Sequence, residues 1–293
     1  MTSFGMFAAI SPVVVVAALR STWSPCGLSV ASTITRIGES GRGRSFAPTA
    51  LSYSIGAVVG GAGLGVLGTA LSQSLRWMGL SESSGLALSG ALLLLAALAD
   101  IGAIGPALPH IRRQVDERWI DEYRGWVLGF GYGCQIGFGL CTYVMTTGVY
   151  LVVALGAVLL QPPQALLIGL VFGLVRGAVV WLGATISSPA DLDHMHARFA
   201  ALEPVSRRIA PASYIVAGLG CSGLGFGARP EIVAGVSAVA AVGGVVVAGL
   251  TVSRARRTEV LAFRTQDLAL KTEGLAQPSQ GRAPRTSSQG ASR

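Results

Sequence analysis

Three cysteines stand in apolar surroundings: Cys26 in STWSPCGLS, and Cys134 and Cys141 in GYGCQIGFGLCTYV. A thiolate is both a nucleophile and a redox group, so thiols brought together from two separate segments would support disulfide exchange. A single buried Cys instead behaves as a small apolar residue, and Cys221 reads that way. Three ionisable residues, Arg20, Asp100 and Arg176, also fall inside apolar runs. Charge at bilayer depth is costly, so such residues face the bundle interior and pair. Asp100 with Arg176 or Arg20 is the expected ion pair, and Asp100, late in its run, has the alternative of snorkelling.

The elements that must position these side chains are membrane helices. Of 293 residues, 51% are hydrophobic and 12% charged, with mean hydropathy +0.60. That is half the charge of an average soluble domain, about 25%. The 40 glycines have no three-residue period, which excludes collagen and fits close helix packing in lipid. Seven apolar runs approach or exceed the ~20 residues needed to cross a bilayer: 5–33, 50–71, 85–108, 126–158, 165–186, 211–227 and 230–252. Pro48, Pro162-Pro163, Pro189 and Pro230 punctuate the connectors. The expected fold is an all-α polytopic bundle of about seven helices.

Basic residues test that count, because Lys and Arg gather in cytoplasmic loops. Connectors one, three and five hold Arg36, Arg42 and Arg44; Arg112, Arg113, Arg118 and Arg124; and Arg198, Arg207 and Arg208, and the tail after Val252 holds eight more, 18 in all. The opposite side holds Arg76 and Arg229 alone. This asymmetry predicts a plasma-membrane protein with its N-terminus outside and its C-terminus cytoplasmic. It also explains the net charge of +8 without a nucleic-acid partner. No cleavable leader pattern precedes the first run, which is expected to be retained. Residues 1–252 read as the transmembrane domain and 253–293 as a basic cytoplasmic tail. Its first part is amphipathic enough to lie on anionic lipid, and its end is too polar to bury a core.

Two patterns are set aside. The glycine clusters 63–68 and 218–223 have dinucleotide-loop spacing but lie inside membrane runs, so they are packing faces, and no cofactor is expected. Asp191, Asp193, His194 and His196 form an acid and imidazole group with no second half to complete a metal site, and read as a solvated loop.

The first and fourth runs each carry a Cys followed by hydroxyl residues: Cys26 with Ser29, Ser32 and Thr33, and Cys141 with Thr142, Thr146 and Thr147. Three spans separate them, which would make two inverted three-helix halves plus one extra helix. On Ser24-Pro25-Cys26, Leu28 and Cys141, the chain resembles the CcdA and DsbD family of transmembrane thiol-disulfide electron carriers. The resemblance implies cytochrome c biogenesis-type transfer of reducing equivalents through Cys26 and Cys141. It also implies cytoplasmic thioredoxin and an extracytoplasmic thiol protein as partners, in addition to membrane lipid.

Axial depth offers a different pairing. On straight helices rising about 1.5 Å per residue, Cys26 lies roughly 13 Å deep, Cys134 roughly 12 Å and Cys141 roughly 22 Å. A disulfide needs Cα atoms within about 7 Å, which favours Cys134, although Pro25 can break the first span and move Cys26. A second functional class stands beside the oxidoreductase. It is a small-solute permease or a non-catalytic scaffold in which Arg20, Gln135, Asp100 and Arg176 line a polar cavity.

Overall fold

The computed structural model describes residues 3–103 and 118–225, all within one unit of the chain, Met1–Gly249. The run 230–252, the tail 253–293, and Arg112, Arg113 and Arg229 lie outside the described residues. Those described are helical, with no strand among them. In order they are α1 (Ser3–Arg20), α2 (Pro25–Thr33), α3 (Arg36–Gly41), α4 (Phe46–Trp77), α5 (Glu82–Asp100), α6 (Trp119–Glu122), α7 (Gly125–Phe138), α8 (Gly148–Val158), α9 (Pro162–Ala178) and α10 (Pro189–Gly225). Among them Phe46–Trp77, Glu82–Asp100 and α9 with its 3₁₀ extension, Pro162–Thr185, are each long and apolar enough to cross a bilayer. The bent pair α1 and α2 makes a fourth if taken as one span.

The first apolar run is not one straight helix. A 3₁₀ turn, Ser21–Trp23, follows α1, and α2 leaves at 73° to Ile10–Trp23. Local chemistry dictates the restart: the Ser24 hydroxyl accepts the Gly27 N–H at 3.2 Å and Pro25 occupies the first helical position. The fourth run is interrupted as well. α7 stops at Gly139, whose φ of +72° is a conformation other residues adopt only under strain. The chain then runs without helix until α8 begins at Gly148. At about 1.5 Å per residue neither the 14 residues of α7 nor the 11 of α8 spans a ~30 Å core. The depth comparison based on straight helices therefore does not hold for Cys26 or Cys141.

A third difference concerns the fifth connector. Its polar residues are not a loop but the first turns of the 37-residue α10, which continues through Pro204 and Pro211 into the sixth apolar run. Asp193, His194 and Arg198 occupy the exposed side, while Met195 and half-buried Phe199 turn inward.

Small residues hold the bundle together. α4 lies between α7 and α9, and α5 packs on α10. Gly129, Gly133 and Gly137 of α7 meet the α4 backbone at Thr49, Tyr53 and Ala57, while Gly169 and Gly173 of α9 meet it at Gly61 and Ala57. The four-residue spacing puts each set on one helix face and lets backbones approach as far as small residues allow. Two apolar cores result. One joins α1, α5, α8, α9 and α10 around Val14, Leu93, Leu155, Phe172 and Tyr214, and the other joins α2, α4 and α7 around Cys26, Tyr53, Leu128 and Ile136.

Candidate functional site

Three segments end or break, and a fourth runs past, around one cavity of about 200 Å³. α1 contributes Arg20, α5 contributes Asp100, the non-helical stretch after α7 contributes Met145 and Thr146, and α10 contributes Glu203, Arg207 and Ala210. The Arg20 side chain is 8% exposed. It donates to Ser206 Oγ at 3.0 Å and lies 3.6 Å from Glu203 Oε1. The same carboxylate oxygen is 3.7 Å from Arg207 Nε. The expected Asp100 pairing is thus corrected: among the described residues Arg20 pairs with Glu203, and neither arginine is within ion-pair distance of Asp100.

Asp100 does something else. Its Oδ1 accepts the Thr147 N–H at 2.8 Å, and Thr147 Oγ1 donates back to the Ala96 carbonyl on α5 at 3.2 Å. A carboxylate at the start of α8 satisfies an otherwise orphan N–H and meets the positive end of the helix dipole. The α7–α8 break is in this way tied to the end of α5. Beside it the Tyr214 hydroxyl is buried with no hydrogen-bond partner among the described residues. A Cβ added to Gly148 would come within 2.8 Å of that hydroxyl and 3.3 Å of Thr146 Oγ1, which places the phenol next to the cavity wall. Two guanidinium groups, Arg20 and Arg207, face two carboxylates, Asp100 and Glu203, so the formal charges sum to zero.

Arg176 stands in a different place. It is 3% exposed, with its guanidinium carbon 5.6 Å from the centre of the Phe172 ring. Among the described residues its Nη2 has no hydrogen-bond partner and no acid is within ion-pair distance, and the groups in electrostatic reach are the Tyr53 hydroxyl and the Cys26 thiol. Cys26 is fully buried one residue after Pro25, packed with Tyr53 and Ile136. Cys134 is half-buried on α7, its backbone against Gly56 and Gly60 of α4. Cys141 is exposed on the non-helical stretch, Cys221 is buried in the other core, and Gln135 is half-buried in α7 outside the cavity lining. Of the residues singled out from the sequence, Arg20 and Asp100 meet at the cavity, Cys26 and Arg176 lie near each other, and Cys134, Cys141 and Gln135 stand apart from both.

Glu203 and Ser206 escaped the sequence reading because their segment looked like a connector, Arg207 was read there only as a topology charge, and Tyr214 was passed over inside the sixth apolar run. Their spacing, with Ala210, is i, i+3, i+4, i+7 and i+11, one face of a helix, and that signal was present. The acid and imidazole group is also resolved into separate roles. Asp191 Oδ2 accepts the N–H groups of Ser187 at 3.0 Å and Ser188 at 2.9 Å, and the Asp191 N–H reaches Ser188 Oγ. This reciprocal cap starts α10, and the Ser187 N–H, with help from Ser188, holds the carboxyl below the usual range. His196 Nε2 lies 2.8 Å from Ser32 Oγ on α2. Among the described residues no three His, Cys, Asp or Glu side chains are grouped to hold a metal.

No family profile matches the chain, and no solved structure is found to match it. Curated relatives do. The chain is 31% identical over 163 residues to methylamine utilization protein MauF of Paracoccus versutus, covering 54% of this chain and 58% of that one. It is 35% identical over 142 residues to the MauF of Methylorubrum extorquens and 36% over 142 residues to that of Methylobacillus flagellatus, covering 49% and 47% of those proteins. These relatives overturn the resemblance to the CcdA and DsbD electron carriers, and with it cytochrome c biogenesis and thiol-disulfide transport. The expectation of thioredoxin and a thiol protein as partners rested on that resemblance alone. The structure supplies the physical reason for the false match: Ser24-Pro25 is helix-start chemistry, an N-cap and a first-turn proline, which any restarting helix uses whatever follows it. The chain spans about half the length of the curated relatives it matches, all named methylamine utilization protein MauF.

Proposed function

We propose that this chain is a membrane-embedded protein of methylamine utilization, with the charge-balanced cavity at the helix breaks as its working element. The similarity to MauF at 31% identity over 163 residues carries this reading. The proposal extends to the architecture. Seven spans with the N-terminus outside form two inverted halves, α1–α2, α4 and α5, then α7–α8, α9 and α10, followed by the run 230–252 and the cytoplasmic tail 253–293. The first helix of each half is the interrupted one. Equivalent helices meet across the halves, α4 on α9 and α5 on α10, and α1 touches α10 as α8 touches α5. Interrupted helices are sustained at membrane depth where protein lines the break, because lipid satisfies no backbone N–H or C=O. The bilayer is the surrounding partner.

The test is complementation. A Paracoccus denitrificans strain that loses growth on methylamine when its MauF is deleted regains that growth with this chain. Glu203→Ala, present in the membrane at the same level, fails to restore it, and growth on ammonium is the same in every strain. Failure of the unmodified chain at normal membrane levels, or full rescue by Glu203→Ala, overturns the proposal.

A further inference from the structure

Away from the charged cavity, α1, its 3₁₀ turn, the 3₁₀ extension of α9 and the first half of α10 enclose an open groove of about 570 Å³. Its walls are apolar: Leu19, Trp23, Val179, Leu182, Met195 and Phe199. Trp23 is fixed there, its ring centre 5.3 Å from that of Phe199 and its Nε1–H donating to the Phe199 carbonyl at 2.8 Å. Leu19 and Leu182 are 45% and 49% exposed, so apolar surface continues from the groove onto the outside of the bundle.

One strip of the groove is polar. Asp191, His194 and Arg198 line it. The Asp191 carboxylate is already taken by the N–H groups of Ser187 and Ser188. Arg198 is exposed, and no acid pairs with it among the described residues. The groove therefore sets aliphatic walls, beside a span that ends at Thr185, against a polar strip of α10 that carries Asp191, held in the helix cap, and Arg198, which has no ion-pair partner among the described residues. Its volume falls in the range of small-molecule sites, about 300–1,000 Å³.

We infer that this groove holds an anionic phospholipid, one acyl chain between Leu19, Trp23, Leu182 and Met195 and the phosphate at Arg198 with His194. A cation without an ion-pair partner on the polar strip selects for negative charge, and the open apolar side admits a chain laterally from the bilayer. This site is independent of the charged cavity and of the reading drawn from MauF.

Native mass spectrometry of the full chain, released from detergent with equal phosphatidylglycerol and phosphatidylcholine, tests it. The first lipid adduct is phosphatidylglycerol, preferred about fivefold, the effect of one basic residue near an anionic surface. Arg198→Glu abolishes the preference, and Arg208→Glu, which does not line the groove, leaves it unchanged. In a second measurement the chain is placed in phosphatidylcholine vesicles doped with brominated-acyl phosphatidylglycerol, against vesicles of brominated-acyl phosphatidylcholine. The phosphatidylglycerol-selective quenching of tryptophan fluorescence disappears in Trp23→Phe and persists in Trp181→Phe. Equal adducts of both lipids, equal loss in the two arginine variants, or quenching that Trp23→Phe does not alter overturns the assignment.

Discussion

Arg176 and Arg20 are both buried arginines, and their surroundings give them opposite consequences. Arg20 is 8% exposed and held by Glu203 and Ser206, whereas Arg176 is 3% exposed with a ring face, a phenol and a thiol around it and, among the described residues, no acid within ion-pair distance. Removing an unpaired buried charge relieves a desolvation cost, while removing the partner of a buried charge creates one. Arg176→Met is therefore expected to melt at the same temperature as the parent or higher. Glu203→Gln is expected to lose about 1.5–3 kcal/mol, the scale of a hydrogen bond to a charged group. Thermal unfolding in detergent, followed by helical circular dichroism, separates the two. A larger loss for Arg176→Met than for Glu203→Gln would reverse the assignment. The sequence identified both arginines as costly, since each is a lone cation in an apolar run. It did not reveal their partners, because Glu203 lies 183 positions from Arg20 on a segment that read as a connector.

Among the elements, the interrupted helices matter most, and the second interruption turns on one residue. Gly139 has φ +72° and ψ −39°, and a Cβ there would lie 2.9 Å from Val149 Cγ1 and 3.2 Å from Phe172 Cε1. Gly139→Ala meets both backbone strain and crowding and is expected to cost about 1–3 kcal/mol. Gly41→Ala, where nothing lies within 4 Å of the added carbon, is expected to be neutral or slightly stabilising. Equal melting temperatures for the two variants would refute the importance of this turn. Hydropathy alone joined α7 and α8 into one span, because it counts apolar residues and not backbone hydrogen bonds. The first break was more legible: Ser24 followed by Pro25 announces a helix start, and a helix that starts there cannot be the one that ends at Arg20.

At the scale of the whole molecule, the proposed topology makes a prediction within the described residues. Alkaline phosphatase fused after Leu80, between α4 and α5, is expected to be active. The same enzyme fused after Ser40, in the Arg-rich first connector, is expected to be inactive, with a cytoplasmic reporter giving the reverse pattern. Activity after Ser40 would invert the orientation. Packing sets a further constraint at this scale. α4 contacts both α7 and α9 through glycines that cannot take a Cβ without meeting backbone, so the middle of the bundle tolerates little change in helix spacing.

What the sequence determined by itself was the class of molecule and its helix grammar. A chain with 12% charged residues and long apolar runs forms helices, several of them long and apolar enough to cross a bilayer, and Ser24 followed by Pro25 restarts a helix by local hydrogen bonding and φ preference. Only the tertiary structure decided which charges meet. Whether Asp100 faces Arg20, Arg176 or the start of α8 depends on the rotation of each helix about its axis and on the 73° bend after α1. Those rotations are set by glycine contacts between helices far apart in the chain. A three-residue motif around a cysteine carries no information about them, so it marked a helix start correctly and a chemistry wrongly.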